Sequence, residues 1–171
     1  NLPTPTIGAT TATQAGKFFN PVLYTGNGGT QSVTGVGFQP DFVWVKNRSA
    51  ANGHGFEDVI RGAGYTLASD STSAEINYSN YFTAFTSDGF NMALGGGTFN
   101  GSGSNYVAWN WKAGGTGVTN TSGSITSTVS ANPTAGFSIV TYTGVVTATV
   151  TVHLEHAVVR HRRILPGNLE R

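Results

Sequence analysis

The sequence has no cysteine, one methionine and, among 171 residues, only nine Lys plus Arg and eight Asp plus Glu. Without cysteine, neither a disulfide framework, a thiolate metal site nor a thiol nucleophile can be built. A charged fraction of 10% is far below the usual level of about a quarter, so the hydroxyls and amides of abundant Ser, Thr and Asn must keep the surface wet. Residues 1–150 carry five basic and six acidic side chains, which leaves no electrostatic footprint for phosphate and excludes nucleic acid as a partner. The other four arginines, Arg160, Arg162, Arg163 and Arg171, crowd the end of the chain. No apolar run approaches the roughly 20 residues of a spanning helix, so membrane insertion is not expected. No charged-then-apolar segment opens the sequence, and export by another route, or delivery within a particle, is expected instead. Helical periodicity is missing too: no stretch of twelve residues spaces its apolar side chains helically without a Gly or a β-branched cluster intervening.

What the chain does have is a phrase written twice. Residues 19–26 read Phe-Asn-Pro-Val-Leu-Tyr-Thr-Gly and residues 137–144 read Phe-Ser-Ile-Val-Thr-Tyr-Thr-Gly. Phe, Val, Tyr, Thr and Gly recur at the same offsets, as expected of a repeated module. Three segments are expected: an N-terminal arm or linker over 1–17, a β module over 18–136, and a second repeat begun at 137 that diverges into a basic tail by 171. Strand signals fill the module at 18–24, 31–36, 42–46, 55–60, 65–68, 81–86, 90–94, 106–111 and 124–129, and again at 137–142. Alternation puts Phe42, Trp44 and Lys46 on one face of their strand and Val43 and Val45 on the other; likewise Val107, Trp109 and Trp111 oppose Tyr106 and Ala108. The run Gly26-Asn27-Gly28-Gly29 has hairpin chemistry and predicts that 31–36 returns along 18–24. Short strands about ten residues apart predict an all-β, antiparallel sandwich, jelly-roll or lectin-like, with little helix.

Chemistry-bearing constellations are sparse. Cleaving a sugar linkage needs two carboxylates facing one bond across about 5 to 9 Å. Of Glu57, Asp58, Asp70, Glu75 and Asp88, the first two are neighbours and point to opposite faces of a strand, while Asp70, Glu75 and Asp88 read as loop and turn residues. A bridge from Asp58 to Arg61 would pin the glycine-rich turn after it. His54, between glycines, has no partner at metal-ligand spacing and reads as an exposed loop histidine. No Gly-x-Ser-x-Gly elbow or phosphate loop occurs. No catalytic residue, metal ligand or cofactor is therefore assigned. Trp44, Trp109 and Trp111 suit either a sugar-stacking platform or the core, and the core is preferred because Leu and Ile are scarce. The loop residues Asn77, Tyr78, Asn80 and Tyr81 are the candidate ligand contacts.

The ordered series Tyr-Thr-Gly-Asn-Gly at 24–28, Gly-Val-Gly-Phe-Gln-Pro-Asp-Phe-Val-Trp-Val-Lys at 35–46, Val-Ile-Arg-Gly-Ala-Gly at 59–64, Ser-Asp-Gly-Phe at 87–90, Val-Ala-Trp-Asn-Trp-Lys-Ala-Gly at 107–114 and the phrase at 136–144 resembles a repeated module of bacteriophage virion proteins. That module occurs in tail fibres and related appendages, mainly of marine and cyanobacterial phages. The resemblance covers about 18–144 and implies a virion or extracellular location, and it brings no catalytic residues. The function expected is a structural or adhesive component of a phage particle that self-assembles, as a trimer or filament, contacts other virion proteins and presents polar loops to a host-surface glycan. The alternatives are a polysaccharide depolymerase and a self-polymerising filament or capsid-decoration protein without a ligand.

Overall fold

The computed structural model describes residues 15–144 and, as backbone alone, 152–154 and 157–159. After a single 3-10 turn, Ala15–Lys17, every regular element is a strand: β1 (Phe19–Thr25), β2 (Gln31–Val33), β3 (Phe42–Asn47), β4 (Gly55–Asp58), β5 (Tyr65–Thr66), β6 (Ile76–Asn77), β7 (Phe82–Thr86), β8 (Gly89–Met92), β9 (Asn105–Trp111), β10 (Val118–Asn120), β11 (Ser127–Asn132) and β12 (Phe137–Tyr142). The hairpin β13 (Val152–Leu154) and β14 (Ala157–Val159) follows and pairs with itself. The strands pair antiparallel throughout, and the molecule is an all-β sandwich.

One layer is the sheet β1-β9-β3-β4, the other the sheet β2-β8-β7. Alternation decides which side chains meet between them. In register across the first sheet, Tyr24, Tyr106 and Asn47 form one inward row and Val22, Ala108 and Val45 the next. Phe82, Phe90 and Met92 face them from the second sheet, Phe99 comes from the loop before β9, and all are sealed from solvent. Burying each of these aromatic and aliphatic side chains is worth roughly 1.5–3 kcal/mol, which makes this layer the principal source of stability. Between β7 and β8 the chain turns through Ser87 and Asp88, and Gly89, paired with Thr86, opens β8 at φ +154°, where a Cβ would lie 2.0 Å from the Val33 carbonyl oxygen.

Two expectations fail. The Gly26–Gly29 run does not close a hairpin, because β1 pairs with β9 while β2 pairs with β8 in the other layer. The buried Asn100 side chain decides this: its Oδ1 accepts from Asn27 N–H at 2.9 Å and its Nδ2 donates to the Gly29 carbonyl at 2.6 Å, so the turn is held as a crossing between sheets. The three tryptophans are not core residues either. The inward gap is filled by four large residues from the opposite side, leaving room on β3 and β9 for Val, Ala and one Tyr, and the tryptophans take the outward face.

A third sheet, β10-β11-β12, leans on that outward face. Phe137 stacks on Trp111, with centroids 6.0 Å apart, and meets Phe42 at 6.1 Å. Ser130 ties the connection, accepting from Gly114 N–H at 3.0 Å and donating to the Gly115 carbonyl at 2.6 Å. The second repeat expected from 137 falls partly on 145–151, 155–156 and 160–171, which lie outside the described residues.

Candidate functional site

Each carboxylate proposed as a reaction partner has a structural bond. Glu57, opposite Val43, faces the interior and is fully buried; it accepts from the Gly64 N–H at 2.8 Å and from the Thr66 hydroxyl. Burial pushes its carboxyl from 4.5 up to about 7, against the lowering pull of those two hydrogen bonds. Asp58, opposite Phe42, points the other way, as adjacency on a strand requires. Its Oδ2 accepts from Arg61 Nε at 2.6 Å, and its Oδ1 accepts from the Ile60 and Arg61 N–H groups. Arg61 also holds Glu75 at 3.1 Å and donates to the Phe56 and Tyr65 carbonyls, so the expected bridge is the centre of a clasp joining β4 to the β5–β6 hairpin. Asp70 accepts from His54 N–H at 3.1 Å, and Asp88 accepts from Gly35 and Gly37 N–H groups at 2.9 and 2.6 Å. Those backbone bonds hold both carboxyls below 3.8. No group of three His, Cys, Asp or Glu among the described residues could hold a metal ion.

Two aromatic surfaces remain. The first is the outward face of the β1-β9-β3-β4 sheet. Phe19, Trp111, Phe42, Phe56, Trp44 and Trp109 form a continuous chain of rings with successive centroids 4.9 to 5.4 Å apart. The tryptophans are half-buried and Leu23 beside them is 68% exposed. His54 belongs to this face and is not the exposed loop residue expected, since its Nδ1 accepts from the Trp44 indole N–H at 2.7 Å.

The second lies at one end of the sandwich, where the loop before β7 meets the glycine run 95–97. Tyr78, Tyr81, Gly96, Gly97, Thr98 and Phe99 line an open cavity of about 180 Å³. Tyr78 N–H is bonded to the Gly64 carbonyl at 2.6 Å, and the Tyr78 carbonyl receives Tyr81 and Phe82 N–H groups at 2.7 and 3.1 Å. This turn sets the two rings at 77° with centroids 5.4 Å apart. The glycine wall is fixed from inside: Asn47 Nδ2 and the Tyr106 hydroxyl both donate to the Gly97 carbonyl at 2.9 Å. A side chain at Gly96 would meet the Tyr81 ring at 2.9 Å, so glycine is what lets that ring lie against the backbone.

Of the four candidate contacts, the structure brings Tyr78 and Tyr81 together. Asn77 and Asn80 are exposed beside the cavity without lining it, and Asn77 Oδ1 is engaged by the Ser79 N–H at 3.0 Å. Gly96, Gly97, Thr98 and Phe99 were not legible as their partners, because the glycine run reads equally well as turn punctuation. A larger groove of about 460 Å³ lies along β10 and β11, bordered by Thr119, Ser122 and Ser130.

The chain matches the domain of unknown function DUF7483 over residues 14–161 and belongs to that family. The matched span runs through the second copy of the phrase. No curated protein and no solved structure matches the chain.

Proposed function

We propose that this DUF7483 member is a structural or adhesive component of a phage particle, a tail fibre or similar appendage, that assembles with copies of itself and presents its polar loop end to a host-surface glycan. The phage context comes from the resemblance of the motif series. A non-enzymatic role is supported by the five carboxylates, each committed to a hydrogen bond or ion pair that holds the fold.

The observation that carries the assembly half is the edge of β12. Exposed edges recruit other strands, and proteins blunt them with proline, charge, bulges or brevity. Among the described residues β1 carries Pro21 at its edge, β7 has a register shift between Phe82 and Ala84, and β2 and β10 are three residues long. The six residues of β12 include no proline and no charge, and among the described residues β12 pairs with β11 on one side only. Such an edge can pair with another copy of itself across a two-fold axis. Light scattering of the intact chain on a size-exclusion column, with electron microscopy of the same fractions, is the test. A defined oligomer or filament is expected, and Thr141→Lys, which adds an edge charge, should shift it towards monomer. A monomeric intact chain overturns the assembly half.

A further inference from the structure

We infer that the cavity between Tyr78 and Tyr81 is a saccharide subsite that takes one neutral pyranose ring, the terminal unit of a glycan. The inference rests on the adhesive reading for its biological setting. Its chemistry comes from the lining.

Size comes first. Pockets for drug-sized ligands run to about 300–1,000 Å³. At about 180 Å³ this cavity suits a single ring and is too small for a peptide segment or a nucleotide. Shape is the second consideration. A pyranose has an apolar face of C–H groups and a polar rim, and it is best gripped by an aromatic face with hydrogen-bonding groups at the edge. The perpendicular pair Tyr78 and Tyr81 provides that corner, and Phe99 stands behind, 6.3 Å from Tyr78 between centroids. The third is polarity. Among the described residues neither phenol nor the Thr98 hydroxyl has a hydrogen-bond partner, so three lining residues each carry a group free to donate and accept. No charged residue lines the cavity, which favours a neutral sugar over an acidic or phosphorylated one. Finally, the wall is preorganised. The Gly97 carbonyl is locked by Asn47 and Tyr106, and the Gly96 carbonyl receives the Phe99 and Asn100 N–H groups at 3.1 and 2.7 Å, so the ligand need not order the loop on arrival.

The test is titration of the intact chain with methyl glycosides of glucose, galactose, mannose and N-acetylglucosamine, and with oligosaccharides ending in each, read by calorimetry and saturation-transfer NMR. Saturable binding of at least one neutral sugar is expected, and binding of the oligosaccharide at least as tight as that of the glycoside. Tyr81→Ala and Gly96→Ala should each weaken it tenfold or more, the second by driving the Tyr81 ring into the cavity. Tyr78→Phe, which keeps the packing and removes one hydroxyl, should weaken it several-fold, and Trp109→Ala, on the other aromatic surface, should leave it unchanged. The inference is overturned if no neutral sugar binds, if an acidic sugar binds more tightly, if only the free glycoside binds, or if binding survives Tyr81→Ala and Gly96→Ala or is lost with Trp109→Ala. A monomer that binds sugar would refute the assembly half of the proposed function and leave this site standing; an oligomer that binds none would do the reverse.

Discussion

β1 and β12 carry the same phrase and live differently. In β1 the shared Tyr24 turns inward, stacks on Tyr106 with centroids 5.0 Å apart and donates its phenol to the Phe99 carbonyl at 2.6 Å. Burial, and secondarily the neighbouring Tyr106, pushes that phenol well above 10. In β12 the corresponding Tyr142 is 54% exposed. The first-position phenylalanines, Phe19 and Phe137, by contrast converge, for both rings lie on Trp111. A strand's sequence therefore fixes which residues share a face, while the strand it pairs with fixes which face is covered. β1 lies beside β9 and inherits a second sheet opposite its Tyr24 side; β12 lies beside β11, packs its Phe137 on the first sheet and, among the described residues, leaves Tyr142 half exposed.

The largest expected effect is at Tyr24. Its replacement by alanine removes a partly buried aromatic ring packed on the core and leaves the Phe99 carbonyl unpaired, and should cost about 3 kcal/mol in denaturant unfolding. A loss below about 1 kcal/mol would mean that β1 is no more integral to the core than β12.

Acidity separates the two regions next. Glu57 on the inner face is raised from 4.5 to about 7 in the folded protein, so the folded state holds its proton over a range in which the unfolded chain releases it. The stability that this group contributes is complete below pH 4.5, is lost as the pH rises to about 7, and is flat beyond; the total is on the order of 3 kcal/mol. Asp70 and Asp88, held below 3.8, act in the opposite sense and only at lower pH. The β10-β11-β12 sheet has no Asp, Glu, His, Lys or Arg between 118 and 142, so it contributes nothing to this slope. Thermal melts of the intact chain from pH 4.5 to 7.5 should fall with pH, and Glu57→Gln, which can still accept from Gly64, should flatten the curve. An unchanged slope in that variant would remove Glu57 as its source.

The two phenylalanines on Trp111 should be nearly equivalent. Phe19 is 37% exposed and Phe137 is half-buried, so replacing either by alanine should cost about 1–2 kcal/mol, well under the loss at Tyr24. If Phe137→Ala proves silent, the third sheet is not fastened to the sandwich through Trp111.

The same contrast sets what could be read from the chain beforehand. Alternation in 42–46 and 106–111 was enough to assign every side chain to a face, and the strand register agrees with it residue by residue. It could not say which face the second sheet would cover, because that depends on Phe82, Phe90, Met92 and Phe99, distant in sequence; this is how tryptophans expected in the core came to lie outside. The turn at 26–29 misled for the same reason, its local chemistry being overruled by Asn100. Tyr78 and Tyr81 stood out as polar loop aromatics, but the glycine wall they face is made by a long-range contact with no local signal.

The smallest effect is the most informative about assembly. Tyr142→Ala should change the stability of the isolated chain by less than about 0.5 kcal/mol, since the residue is more than half exposed at the end of β12. In the assembled form the same substitution should weaken association, because Tyr142 stands on the strand whose edge a second copy would extend. Unfolding measured at a concentration where the chain is monomeric, set beside scattering at one where it is assembled, separates the two. A large stability loss in the monomer would mean that Tyr142 is already covered as Tyr24 is; no effect in either would remove the end of β12 from the interface.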